Sequence, residues 1–221
     1  MKKVLTVFFL ASSSLLLAQS PEDSSKSRVK TDFYIGFGAT VQSQFNLNTN
    51  LKNGTLPELK ETMPELIFGL NFFGEKFSGD AEFGFGSTQN DNANVKNRNV
   101  ALNSRLRFHY NFVSQEKIAL TGGLNVAVNN NQVDVYAKNN IIDLNNFSPS
   151  NISHVSLRNQ MYFAGPSFSL YFLKHKKNQI RINLGYELAF TNGKWKSDFT
   201  EVQNTVKENG NNRFVFGISL L

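Results

Sequence analysis

Residues 99–112 read NVALNSRLRFHYNF, and this stretch decides the fold. Its apolar and polar side chains alternate almost one by one, which is the period of a β-strand with two different faces. One face carries Val100, Leu102, Leu106, Phe108, Tyr110 and Phe112. The other face carries Arg105, Arg107 and His109. The segment therefore predicts a strand that separates bulky apolar side chains from ionised ones.

The same alternation recurs along the whole chain after residue 32. It appears near residues 33–45, 65–73, 77–86, 118–128, 155–172, 180–190 and 214–220. In the sixth predicted strand, at residues 155–172, the apolar residues change from one strand face to the other at Gly165-Pro166. Because proline cannot donate to a β-ladder, we expect a bulge at that point.

The charged residues of these strands share one face. In the seven regular strands no Asp, Glu, Lys or Arg has the parity of the apolar face, and the opposite face carries Gly, Ser and Asn as well as the charges. A soluble sheet turns its charged face to water, whereas a narrow barrel in lipid turns that face inward. The pattern favours a membrane barrel, with a soluble periplasmic β-sandwich that binds a ligand as the alternative.

The links between the predicted strands alternate in length. Short links fall at residues 74–76, 113–116 and 174–178, and long links at 46–64, 87–98, 130–154 and 192–212. Short periplasmic turns and long outer loops are typical of outer-membrane barrels. The sequence thus predicts an all-β fold, a transmembrane antiparallel up-and-down β-barrel of about eight strands, over residues 32–221.

The N-terminus has a different composition. Lys2 and Lys3 precede a short apolar run, and Ala18-Gln19 offers a small residue before a cleavage point. We therefore expect a signal peptide over residues 1–18, a flexible periplasmic leader over 19–31, and export to the cell outer membrane. The chain has no cysteine, so a lipoprotein anchor, disulfides and thiolate metal sites are excluded.

The chain resembles the small outer-membrane β-barrel family common in Bacteroidota, and the layout of the eight-stranded OmpX and OmpA transmembrane type. The resemblance rests on the signal peptide, the Asn-rich loops, Gly36-Phe37-Gly38 and the final strand at residues 214–218, and covers roughly residues 32–221. It implies a porin-like barrel that contacts outer-membrane lipid and is inserted by the barrel-assembly machinery. Such proteins often end in an aromatic residue, whereas Leu220-Leu221 give a weaker assembly signal or a tolerated variant.

The inward charges are the main candidate site. The predicted lumen cluster consists of Asp80, Glu82, Arg105, Arg107, His109, Arg181 and Glu187. Buried charges must pair, so we expect an ion-paired plug; a narrow charge-lined solute pathway is the alternative. We expect His109 to pack and form hydrogen bonds rather than to bind a metal.

Other functions have weaker support. His154 and Ser156 share a strand face, similar to the His-x-Ser arrangement of outer-membrane lipid A deacylases, but no acidic residue that orients the histidine is identifiable. The formal charge of +6 is scattered, so nucleic acid is not an expected partner. We expect a monomeric, non-enzymatic barrel without cofactor or metal that serves envelope integrity, surface interaction or limited permeation. An unidentified partner binding the outer loops and a lipid-acting hydrolase stay open.

Overall fold

The computed structural model describes residues 29–138, 154–172, 179–203 and 206–221. Eight antiparallel strands form a closed ring in the order β1-β10-β7-β6-β5-β4-β3-β2. They are β1 Lys30–Gln42, β2 Thr62–Phe73, β3 Phe77–Asp91, β4 Val95–Ser114, β5 Ile118–Ala137, β6 His154–Phe172, β7 Ile180–Ala189 and β10 Arg213–Leu220. The predicted up-and-down barrel of about eight strands is confirmed, and the closed ring replaces the alternative of a two-sheet sandwich.

Three smaller elements lie at one end of the barrel, which we call the upper end. They are helix α1, Leu47–Asn53, and the two-residue strands β8, Gly193–Lys194, and β9, Lys207–Glu208. β8 and β9 pair with each other in a separate sheet. Within the described residues, no helix has the length and apolar character needed to cross a bilayer. The predicted signal peptide and most of the predicted leader lie outside the described residues.

The ring closes between its first and last strands. β1 pairs with β10 from Ile35↔Leu220 to Gln42↔Arg213. A Cβ atom on Gly36 would lie 2.1 Å from the carbonyl oxygen of Ile218. Closure therefore requires a residue without a side chain at position 36.

Alternation along each strand gives the barrel two different surfaces. Outward side chains are large and apolar, as at Phe37, which is 75% exposed, and Leu124, which is 67% exposed. Their neighbours in sequence, such as Asn125, point inward and are buried. The prediction that the apolar strand faces point outward and the polar faces point inward is thus confirmed.

The upper parts of β3, β4 and β5 are longer than the sequence pattern predicts. β3 and β4 pair from Phe77↔Tyr110 up to Asp91↔Lys96, so the predicted long link at residues 87–98 is wrong. β5 likewise continues to Ala137, although a loop was predicted from residue 130. In β3 and β4 both strand faces above the apolar band are almost entirely polar, so hydrophobic alternation stops while the backbone ladder continues. In β5 the alternation is interrupted at Asn129-Asn130-Asn131 before it resumes at Val133.

The bulge predicted at Gly165-Pro166 is also wrong. β5 and β6 pair in one continuous register from Ile118↔Phe172 to Tyr136↔His154. The parity change arises because Met161 and Phe163 are apolar residues that face inward. The register shift between β4 and β5 occurs instead between Asn111 and Val113.

Candidate functional site

The barrel interior is filled by ionised side chains of both signs. Four carboxylates and four guanidinium groups are each at most 4% exposed: Glu65, Asp80, Glu82, Glu187, Arg105, Arg107, Arg181 and Arg213. We call these eight residues the lumen network. Every member has an oppositely charged partner. The network therefore leaves no isolated buried charge, the condition that makes such burial tolerable.

Arg105 on β4 is the centre of the upper half of the network. Its Nη1 lies 2.8 Å from Glu65 Oε2 and 3.1 Å from Glu82 Oε1. Its Nε lies 3.2 Å from Glu187 Oε1, and its Nη2 donates to Thr40 Oγ1 at 3.0 Å. One guanidinium group thus connects β4 with β1, β2, β3 and β7. Charge-assisted bonds of this kind are among the strongest that side chains make.

Asp80 on β3 organises the lower half. Its Oδ1 is 2.7 Å from Arg107 Nη1, and its Oδ2 is 3.1 Å from Arg181 Nη1. The hydroxyl of Tyr34 donates to Asp80 Oδ1 at 3.0 Å and lies 3.2 Å from Glu82 Oε2. The Arg181 guanidinium lies 3.9 Å above the centre of the Tyr34 ring. The aromatic ring and the carboxylates therefore share the same arginine.

All seven residues of the predicted lumen cluster face the interior, but His109 lies apart from the ion pairs. Its Nδ1 is 2.8 Å from Thr121 Oγ1, and its Nε2 is 2.7 Å from Ser167 Oγ. These contacts are hydrogen bonds to neutral hydroxyl groups. His109 therefore serves the interior as a hydrogen-bonding residue on the lower side of the network.

Sequence reasoning missed two members of the network, Glu65 and Arg213. Each immediately precedes an outward apolar residue, Leu66 or Phe214, and so has inward parity. Arg213 lies on β10, and its Nε forms an ion pair with Oε2 of Glu187. Its guanidinium group lies 3.9 Å above the centre of the Phe163 ring. Glu65 is the first residue of the predicted strand at 65–73, and Arg213 comes directly before the predicted strand at 214–220, so the parity rule applied at these two strand ends finds both.

Apolar side chains close the interior below the network and line one side of it. At the lower end Phe73, Ala119 and Tyr171 pack together, with Leu221 against them. Phe73 and Tyr171 meet edge to face with their ring centroids 5.0 Å apart. Beside the network, on the wall formed by β5, β6 and β7, Ala127, Met161, Phe163 and Ala189 form a second apolar cluster. Ala127 is the register partner of Arg105, so this cluster lines one side of the network at the same height.

A third apolar cluster covers the upper mouth, and we call it the upper cap. Its buried core consists of Phe45, Leu47, Leu51, Leu59, Val133 and Trp195. The carboxylate of Glu208 accepts bonds from the backbone N–H groups of Asn46, 2.8 Å, and Leu47, 3.0 Å. It also accepts from Trp195 Nε1 and Asn211 Nδ2, both at 2.8 Å. Glu208 therefore ties the start of α1 to the β8–β9 segment.

His154 and Ser156 lie on the outer face of the upper part of β6. The expectation that no acidic residue adjoins them is wrong, because Asp134 Oδ1 is 3.3 Å from His154 Nε2 and the Ser156 hydroxyl also bonds to Asp134. Arg98 Nη2 lies 3.0 Å from the same carboxylate. Acyl transfer needs the serine bonded to the imidazole, which acts as its base. Here both groups bond to the carboxylate, so the cluster stabilises the strand extension without the contacts of a catalytic triad.

Within the described part of the chain, no three His, Asp or Glu side chains are grouped so that they could hold a metal ion. The candidate site is the enclosed lumen network together with the surfaces that surround it.

Comparisons with known proteins complete the description. No protein-family model and no curated protein matches the sequence. Solved structures with a similar arrangement include Ail, the attachment invasion locus protein of Yersinia pestis, with 11% identity, TM-score 0.45, and 86% of this chain and 95% of that chain covered. Neisserial surface protein A has 8% identity, TM-score 0.42, and coverage of 86% and 97%. Acinetobacter baumannii CarO2 has 9% identity, TM-score 0.32, and coverage of 87% and 98%. Values this low assign the chain to no family.

Proposed function

We propose that this chain is a non-enzymatic, non-conducting outer-membrane barrel that holds its upper end at the cell surface. The lower end carries the tight turns and faces the periplasm. In this arrangement the barrel is a rigid frame, and the upper cap and the extended strands β3 to β6 are the surfaces available for interaction. The single observation that carries the proposal is the sidedness of the barrel wall.

The exposed exterior argues for lipid as the surrounding medium. Large apolar side chains stay exposed around the ring, including Phe33, Phe108 and Phe214, each at 64% or more. Exposed apolar surfaces of this extent are rare on soluble monomers. A closed barrel also satisfies its backbone hydrogen bonds without water, which is the requirement for a β-structure in a bilayer. We infer that outer-membrane lipid is the partner of this wall and that one chain forms the complete, monomeric barrel.

Aromatic side chains mark the lower edge of the apolar band. Phe77 and Tyr110 lie 5.6 Å apart, and Tyr110 and Phe112 lie 5.7 Å apart, all on the outside of the barrel. Aromatic girdles at the interface are typical of transmembrane barrels. This row supports a lower membrane boundary near the β2–β3 and β4–β5 turns.

The enclosed interior argues against a pore. The lumen network spans the barrel, with an apolar layer below it and the upper cap above it. A barrel of about eight strands has an interior just wide enough for its own side chains to fill or for one small ligand, and here the network side chains occupy it. We therefore propose the ion-paired plug and set aside the solute pathway.

The absence of cysteine makes a direct test of sidedness possible. Val126 is 45% exposed and Ala127 is 1% exposed, although they are adjacent in β5. A thiol facing hydrocarbon does not ionise to the thiolate that alkylating reagents need, so each cysteine is compared through a probe that needs no ionised thiol. This probe is a lipid-dissolved diazirine, which forms a carbene on illumination that inserts into C–H bonds. We expect it to label Val126→Cys in vesicles and to leave Ala127→Cys unlabelled, as read by mass spectrometry. Both variants are first checked for heat-modifiable gel mobility, so that each labelled barrel is known to be folded. Labelling of Ala127→Cys with protection of Val126→Cys would reverse the sidedness and refute the proposal.

A further inference from the structure

The outer surface of the barrel becomes basic just above its apolar band. The residues concerned lie on β4, β6 and the β8 segment, and we call them the outer basic patch: Arg98, Arg158, Lys194 and Lys196. Arg158 and Lys196 are partners in an antiparallel bridge, with backbone bonds of 2.6 and 2.9 Å, so their side chains project from the same face. Trp195, between the two lysines, is buried in the upper cap, which turns both lysines outward.

The patch has more positive charge than its own carboxylates neutralise. Arg98 pairs with Asp134, and Arg158 pairs with Asp198. Within the described residues, Lys194 and Lys196 have no ion-pair partner, and both are exposed. The patch therefore presents two free ammonium groups beside two partly exposed guanidinium groups.

The height of the patch points to lipid headgroups. Tyr162 and Phe190, 6.3 Å apart, form an aromatic pair on the outside of the wall. Arg158 is four residues above Tyr162 on β6, which is about 13 Å along the strand and about 10 Å along the membrane normal at the usual tilt. Long basic side chains at that height reach the headgroup region.

An exposed aromatic residue adjoins the charges. Phe199 is 79% exposed and directly follows Asp198, the partner of Arg158. The Ser197 hydroxyl accepts a bond from the Phe199 backbone N–H at 3.2 Å, which fixes the turn. A ligand that is both anionic and apolar fits this combination better than free phosphate.

We propose that the outer basic patch binds the phosphate groups of anionic lipids in the outer leaflet. Lys194 and Lys196 donate to the phosphate, Arg158 is shared between Asp198 and the lipid, and Phe199 packs against the lipid body. The inference rests on the proposed membrane position of the barrel and gives the upper boundary a specific lipid chemistry.

The test is a titration of the folded full chain in zwitterionic detergent with diphosphoryl lipid A. We expect Lys194→Gln/Lys196→Gln to weaken binding about 25-fold, since each of the two basic residues near an anionic surface contributes about a fivefold factor. The matched control is Lys76→Gln/Lys117→Gln, which removes two exposed lysines from turns at the lower end and should leave the affinity unchanged. Fully dephosphorylated lipid A should bind all three proteins equally weakly.

Further arms separate the alternatives. Phe199→Ser should weaken lipid A binding, and inorganic phosphate should not displace the lipid. Displacement by inorganic phosphate at matched concentration would make this a free-phosphate site and overturn the lipid assignment. Equal loss of affinity in the patch and control variants would reduce the effect to net charge and also overturn it. Heat-modifiable mobility is recorded for each protein, so that failure of the barrel itself is distinguished from failure of the patch.

Discussion

Arg105 Nε lies 3.2 Å from Glu187 Oε1, although the two residues are 82 positions apart in the sequence. β4 and β7 are separated by β5 and β6 in the ring, so this ion pair crosses the interior. Opposite walls of the barrel are thus joined through side chains as well as through the backbone ladder. The consequences of this arrangement can be measured.

Replacing Arg105 with methionine leaves Glu65 without its guanidinium partner and removes one partner each from Glu82 and Glu187. Breaking a buried pair by removing one member costs about 3–5 kcal/mol. We expect Arg105→Met to lower the free energy of unfolding by that amount, measured by urea titration in detergent micelles. Arg98→Met, at a side chain that is 43% exposed, should cost about 0–1 kcal/mol. Equal effects of the two changes would contradict a structural role for the lumen network.

The seam between β1 and β10 should be sensitive to a single methyl group. Gly36→Ala places a Cβ atom against the Ile218 carbonyl oxygen, and the strands must separate to admit it. We expect a loss of about 1–3 kcal/mol and slower folding into micelles. In Gly185→Ala the nearest atom to the new Cβ is 3.7 Å away, so that variant should fold as the wild type does. A Gly36→Ala barrel of unchanged stability would mean that the seam is looser than described.

The upper cap can be followed through the single tryptophan of the chain. Trp195 is 2% exposed and donates to Glu208. Glu208→Ala removes the acceptor shared by α1 and the β8–β9 segment, so we expect Trp195 emission to shift to longer wavelength and acrylamide quenching to rise. Heat-modifiable mobility should persist, because the barrel strands are untouched. The control is Glu201→Ala, at an exposed residue between β8 and β9, which should leave the emission unchanged.

Ion conductance should be absent in planar bilayers. The upper cap, the lumen network and the apolar layer at Phe73 and Tyr171 each close the path. We therefore expect no current steps from the wild type, and none from Trp195→Ala, because two closures remain when the cap is loosened. Reproducible unitary currents from wild-type protein would restore the solute pathway as the better interpretation.

The faces of the strands could be read from the sequence because parity is a local property. In β4 the alternation of Leu106 and Phe108 with Arg105 and Arg107 is enough to assign inside and outside. The same assignment of inward and outward faces can be made for each other strand from its own alternation, without knowledge of how the strands pair. The sidedness of the barrel wall and six of the eight members of the lumen network follow from this rule.

Partner choice within the lumen could not be read in the same way. Which charges meet depends on their heights, and these depend on the stagger of all the strands around the ring. No single strand reveals that Arg105 reaches Glu187 or that Tyr34 reaches Asp80. The extension of β3 and β4 escaped prediction for a different reason, since residues such as Gln89 and Arg98 pair as strand residues while both strand faces are polar.

The upper cap was the least predictable part. Glu208 and Trp195 lie in a segment without alternation, and their contacts to Asn46 and Leu47 link residues about 160 positions apart. The acidic neighbour of His154 was missed because Asp134 comes from another strand and has the parity of an outward residue. Both depend on long-range packing that a local pattern does not encode.

The equal numbers of acids and bases in the lumen network restrict how this protein can evolve or be redesigned. A neutral substitution at one of the eight positions leaves an opposite charge in the interior without a full set of partners. We therefore expect substitutions at these positions to occur in pairs of one acid and one base. The same constraint applies to the design of a variant with an open channel through the barrel. Arg105 and Glu65 would have to be replaced together by neutral residues, and then Arg213 together with Glu187, so that the lumen network stays electrically neutral in each intermediate variant.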